Sequence, residues 1–193
     1  MCLKPIWSRI FLLMGRILFL DASFDRPFVA YDNTLVEVSK ALSMAEIVET
    51  LGTFDAVAAG QGPGSYTGMR IALSLASALS LAWKVPLLTL SALYGLVPEG
   101  DMDFQAMLDA RSGGVYLLEE GVPVKKSLDE LVLKEVIISP RIAPLQARLP
   151  KNIRFIEAMP NPQRLFSLLE EKLNQGSYSL TGQAELLYLG RTL

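Results

Sequence analysis

Histidine is absent from the 193 residues of the chain. That removes the usual general base, the Ser-His-Asp and Cys-His pairs, and every zinc site that needs an imidazole. Catalysis by this chain would have to use carboxylates, Lys, Ser/Thr/Tyr or a bound metal. Cysteine is nearly absent as well: Cys2 stands alone, so there is no internal disulfide and the chain fits a reducing compartment. An excess of one charge is missing too. With 18 Lys+Arg against 20 Asp+Glu and no block of like charge, nothing here grips nucleic acid unaided. The first twenty residues superficially resemble a signal peptide, but Gly15-Arg16 interrupts the apolar run and Asp21 follows with no small-residue cleavage pattern. A cytoplasmic protein without a membrane segment is expected.

What is present is enough apolar material, 51% of the chain, to bury a real core. Met14 looks like a natural start, which leaves residues 1–13 as an extension with a frayed terminus. Strands are predicted at Ile17–Leu20, Phe28–Tyr31 and Thr34–Val38, with Asp32-Asn33 as the turn. Ser43-Met-Ala-Glu46 reads as a capping box for a short amphipathic helix through Leu51. A buried strand at 55–59, a glycine-rich loop, a long helix over 67–83 and a strand at 86–90 follow.

After the turn-rich Pro98–Asp103 the chain begins a second time. Phe104–Leu108 runs into Asp109 as Ile17–Leu20 runs into Asp21, and hairpin-like segments follow both aspartates. A capping box at Ser127–Glu130, a strand near Val136–Ile138 and a helix opened by Asn161-Pro162 and closed by Gly176 complete the chain. The reading is α/β, with an N-terminal lobe over 14–98 and a C-terminal lobe over 99–193.

The loop Gly60-Gln-Gly-Pro-Gly-Ser-Tyr-Thr-Gly-Met-Arg70 stands where phosphate loops stand, between a strand and a helix N-terminus. Its spacing is wrong for the P-loop, which needs a Gly-Lys-Ser/Thr. The dinucleotide fingerprint fails in both frames, at Ser65 and at Thr67. The nucleophile elbow is missed by one position, and Ser65 has no histidine to activate it. On the bland reading Gly62 and Gly64 turn the backbone and Ser65 or Thr67 caps the helix. On the other, Asp21, Gly62, Gly64, Ser65, Thr67, Arg70 and Asp109 contact an anion or nucleotide in a cleft, the two aspartates through Mg²⁺. The helix itself says more, since Ile71 to Trp83 carries no charge and is apolar or small almost all round. Two buried faces imply two neighbours, one of them the helix near 43–51 or another chain.

Three segments, Arg16–Ser23, Gly60–Ile71 and Asp109-Ala-Arg-Ser-Gly-Gly-Val-Tyr116, together resemble the TsaB (YeaZ) family. The closing Ala184-Glu-Leu-Leu-Tyr-Leu-Gly-Arg191 is similar to that family's ending, with Leu186 where proline is usual. The resemblance implies a two-lobed actin-like ATPase fold (ASKHA, ribonuclease H-like), here with a reduced second lobe. It implies a non-catalytic dimerisation subunit that binds and activates TsaD, with the ATPase TsaE in the same complex, for transfer of threonylcarbamoyl to the tRNA adenosine adjoining the anticodon. It also implies no cofactor of its own and no metal, with ATP and Mg²⁺ entering at the level of the complex. By the same resemblance tRNA is met only through the complex, and a homodimer of the chain alone is the alternative to the heterodimer. Partner contacts are carried over to Met44, Ile47, Val48 and Leu51 on the first helix and to Met69, Ala72, Leu73, Ala76, Leu79, Ser80 and Trp83 on the second. The alternative is an enzyme, either a nucleotide-dependent phosphotransferase of this fold or a metallopeptidase-like protein.

Overall fold

The computed structural model describes residues 15–111 and 113–189; the expected extension over 1–13 lies outside them. The apolar run after Arg16 forms β1 (Ile17–Asp21), buried along its whole length at the centre of a five-stranded sheet. It pairs antiparallel with β2 (Phe28–Tyr31), which turns into β3 (Thr34–Glu37). Asp32 and Asn33 both take positive φ, as a two-residue hairpin turn requires. On its other side β1 pairs parallel with β4 (Ala56–Gly60), and β4 with β5 (Leu87–Leu90). Parallel neighbours need crossovers, and α1 (Met44–Leu51) and α2 (Tyr66–Trp83) supply them.

Side chains alternate along a strand, so β1 serves two cores. Leu18 and Leu20 pack with Met44, Val48, Ala72 and Ala76 under the two helices. Ile17 and Phe19 point into a second cluster that takes in Ala106, Leu108 and Ile138 of the other sheet and Leu165, Phe166 and Leu169 of α4 (Pro162–Asn174).

The second sheet holds β6 (Gln105–Asp109), β7 (Gly114–Glu119), β8 (Val122–Ser127), β9 (Val136–Ser139) and β10 (Arg154–Glu157). Its order is β8-β7-β6-β9-β10, that of β3-β2-β1-β4-β5 element for element. The pairing senses agree as well, with β6 antiparallel to β7 and parallel to β9. Asp21 and Asp109 therefore end equivalent strands. The second lobe is reduced in its helices, not in its sheet: where the first lobe has α1 and α2, the second has a 3-10 turn at Leu128–Glu130 and the four-residue α3 (Ala143–Gln146).

One expected cap is corrected and another is met. Ser43 is not the cap of a capping box: it sits in helical conformation with no side-chain cap bond, because Ala41–Ser43 already forms a 3-10 turn leading into α1. The capping box at Ser127–Glu130 is present as expected, with the Ser127 N–H donating to Glu130 at 3.1 Å, and it opens a 3-10 turn. β10 and α3 have no counterpart in the sequence reading. Asn161 caps α4 as expected, accepting from the Arg164 N–H at 3.0 Å.

Candidate docking surface and inter-lobe cleft

The glycine-rich loop is a packing device. A Cβ on Gly60 would overlap the carboxylate of Asp21, and one on Gly68 would overlap the Ala22 carbonyl, so both positions exclude side chains for lack of room. Gly62 (φ +92) and Gly64 (φ +154) turn the chain between them, against Met69 and the Ser23 carbonyl. The Ser65 N–H donates to the Ser23 carbonyl at 2.7 Å. Ser65 is the helix cap, its hydroxyl accepting from the Gly68 N–H at 3.2 Å, while Thr67 is exposed and caps nothing. The loop thus binds the start of α2 to the end of β1.

Asp21 is fully buried. One carboxylate oxygen accepts from the Ser23 N–H (2.6 Å) and hydroxyl (2.7 Å); the other has no hydrogen-bond partner. Burial pushes its pKa up to about 6 against the pull of those bonds. Asp109 keeps the same turn geometry, accepting from the Arg111 N–H at 3.2 Å, and is also bound by the Arg148 guanidinium.

Between the lobes lies a cleft of about 280 Å³ lined by Asp25, Arg26, Ser65–Thr67, Asp109, Arg111 and Arg141 among others. Asp21 does not reach it. The nucleotide and Mg²⁺ that the fold family implies do not fit these residues: one strand-end carboxylate is sealed under Gly60, and the other is held by an arginine. Of the two glycines expected to cradle phosphate, Gly62 faces Met69 and the Leu187 carbonyl, and Gly64 is pressed against the Ser23 carbonyl at the cleft wall. Among the described residues, no three Asp, Glu or Cys side chains gather in metal-binding geometry. Of the seven positions expected to meet an anion, the cleft brings together Gly64, Ser65, Thr67 and Asp109 and leaves out Asp21, Gly62 and Arg70.

The helix pair presents a different surface from the one carried over. Met44, Val48, Met69, Ala72, Ala76 and Ser80 are buried between the helices and the sheet, with Ser80 bonding the Val85 carbonyl at 2.6 Å. Their burial takes them out of the outward surface, except that Val48 also borders the groove between the helices. Ile47, Leu51, Leu73, Leu79 and Trp83 are half-buried, Trp83 against Phe54. What faces outward is an apolar groove between the helices, floored by Ala41, Ala45, Ile71 and Leu75, with Leu42 73% exposed at its rim. It continues past Leu79 to Trp83. Arg70 is the only charged residue of α2. No described helix is long and apolar enough to cross a membrane.

The far flank of α2 is covered by the C-terminal segment. Ser179 exchanges two backbone bonds with Leu87 of β5, Gly182 abuts Leu81, and the Leu187 N–H donates to Gln61 at 2.8 Å. Tyr188 stacks on Tyr66, ring centres 5.1 Å apart, and Arg70 lies over the Tyr66 ring. The sequence reading missed Leu42, Ala45, Ser74, Tyr66 and Tyr188. Ala45 and Ser74 lie on α1 and α2 out of phase with the buried residues of each helix, and Leu42 lies in the 3-10 turn before α1; the aromatic pair joins residues too distant in sequence to be read.

Comparison with known proteins follows this architecture. The family described as TsaD, tRNA N6-adenosine threonylcarbamoyltransferase, matches residues 32–180. Curated relatives named tRNA threonylcarbamoyladenosine biosynthesis protein TsaB include that of Escherichia coli K12, 36% identical over 38% of this chain and 36% of its own. That of Bacillus subtilis 168 is 39% identical over 33% of each chain. The chain's matches thus span about a third of the length of these relatives. Among solved structures, a Pseudomonas aeruginosa protein described as similar to the peptidase YeaZ superposes with TM-score 0.72 over 92% of this chain and all of its own, at 22% identity. Pseudomonas aeruginosa YeaZ does so with TM-score 0.68 over 89% and all of its own, at 21% identity. Those likenesses establish the fold, and by the match over residues 32–180 the chain belongs to the family described as TsaD, tRNA N6-adenosine threonylcarbamoyltransferase, while over about a third of its length it is similar to the proteins named TsaB.

Proposed function

We propose that this chain is a non-catalytic docking subunit in threonylcarbamoyladenosine biosynthesis, binding and activating a TsaD-type partner through the groove between α1 and α2. The observation that carries the reading is the groove itself, an apolar surface rimmed by the exposed Leu42 on a helix pair whose other face is fully used by the sheet. Large apolar side chains left in water forgo roughly 1.5 to 3 kcal/mol each, which favours association. The two carboxylates of the cleft are engaged, Asp25 by Arg111 and Arg141 and Asp109 by Arg148, which supports assigning the transfer chemistry to the partner. ATP, Mg²⁺ and tRNA then enter through the complex, with TsaE as its ATPase, in the cytoplasm.

The test mixes the purified chain with purified TsaD and measures sedimentation and, with TsaE, ATP and substrate tRNA, the yield of modified adenosine. A new heavier species and a gain in modification are expected. No complex and no gain would sink the proposal; a homodimer that TsaD does not displace would reassign the groove to self-association.

A further inference from the structure

We infer that Asp25 and Arg26 form a reversible ionic latch that closes the mouth of the inter-lobe cleft and, through Ser23, fixes the start of α2. Asp25 is the shared acceptor of two second-lobe guanidiniums. Arg111, in the β6–β7 turn, binds one carboxylate oxygen, and Arg141, beyond the end of β9, binds the other at 2.8 Å. Arg26 works in the opposite sense. Glu37 of its own lobe holds it with bonds of 2.7 and 2.6 Å, and it reaches across to the Pro140 carbonyl at 3.0 Å and to Glu157, at the end of β10, at 3.5 Å. Three strand ends of the second lobe therefore converge on two consecutive residues of the β1–β2 connection.

That connection also holds α2. Ser23, two residues before Asp25, receives the Ser65 N–H, and Gly64 is pressed against the same carbonyl. A displacement of Asp25 is transmitted to the helix cap over a few bonds. Behind the latch Phe24 is buried in the core shared by both sheets, so loosening the ion pairs opens the mouth without dismantling the fold. The Arg111 and Arg141 side chains are 71% and 58% exposed. Pairs this open are individually weak and are screened by salt, which makes the latch reversible. The consequence for docking rests on the function proposed above; the latch does not, and its test uses the chain alone.

Hydrogen exchange of the whole chain, followed on peptides covering 22–28, 64–70, 139–142 and β4, distinguishes the outcomes. In the unmodified chain, raising NaCl from about 0.05 M to about 1 M, where the Debye length falls to ~3 Å, speeds exchange in the first three segments about five- to tenfold and leaves β4 unchanged. Asp25→Asn exchanges fast in those segments at both salt concentrations, and Asp25→Glu keeps the salt response. A salt-insensitive unmodified chain, or an Asp25→Asn chain whose salt response is as large as the unmodified chain's, would overturn the latch. Loosening confined to 22–28 and 139–142, with 64–70 unaffected, would overturn its hold on α2.

Discussion

Asp21 shows how a residue that looks functional in sequence is consumed by structure. Its position at a strand end suggests a metal or phosphate contact, but Gly60 closes over it and leaves one oxygen unpaired in the core. A carboxyl whose pKa is raised from 3.8 to about 6 binds its proton more tightly folded than unfolded. Between those values the folded state carries the extra proton, so this group's contribution falls as pH rises through the window, and the loss is complete above pH 6. Asp21→Asn keeps an acceptor for Ser23 and cannot ionise. The variant is expected to be more stable than the parent by about 2 to 3 kcal/mol at pH 7.5, with the gain shrinking toward pH 4, in urea unfolding across that range. A gain that does not change with pH would show that Asp21 is not the titrating group.

At the scale of the helix, α2 separates what periodicity can say from what it cannot. Its lack of charge correctly announces two buried sides, but both rows of its apolar residues look alike in sequence. Only the sheet decides that Met69, Ala72, Ala76 and Ser80 face inward. Ala76→Arg is therefore expected to unfold the chain, since it buries a charge at a fully enclosed alanine. Ser74→Arg, on the exposed ridge beside the groove, is expected to leave the melting temperature within about 2 °C and to weaken docking at least about tenfold. Thermal melts and sedimentation of the two variants separate the assignments. Strands legible from four or five apolar residues in a row, such as β1 and β4, were found because both faces are buried. β10, with charged Arg154 and Glu157 at its ends and one neighbour only, has no such pattern. The glycine loop was legible as a bend and not as a lid on Asp21, since that contact joins residues 39 positions apart.

For the whole molecule, the repeated strand order gives two lobes one plan, with shorter helices in the second, while the cluster around Leu165, Phe166 and Leu169 joins both sheets. Each sheet therefore leaves apolar surface uncovered without the other. Denaturant unfolding is expected to show a single transition, superimposable by circular dichroism and tryptophan fluorescence; two resolved steps would mean that the lobes fold separately. The strip from Ser179 to Tyr188 has a role at this scale as well. β5 is the last strand of its sheet, and the Ser179 backbone occupies bonds at Leu87 that another chain's strand would otherwise find open. The strip is in this sense a guard against polymerisation. A chain trimmed after Gln175 is expected to scatter light progressively at concentrations where the full chain stays clear, even with its helices intact.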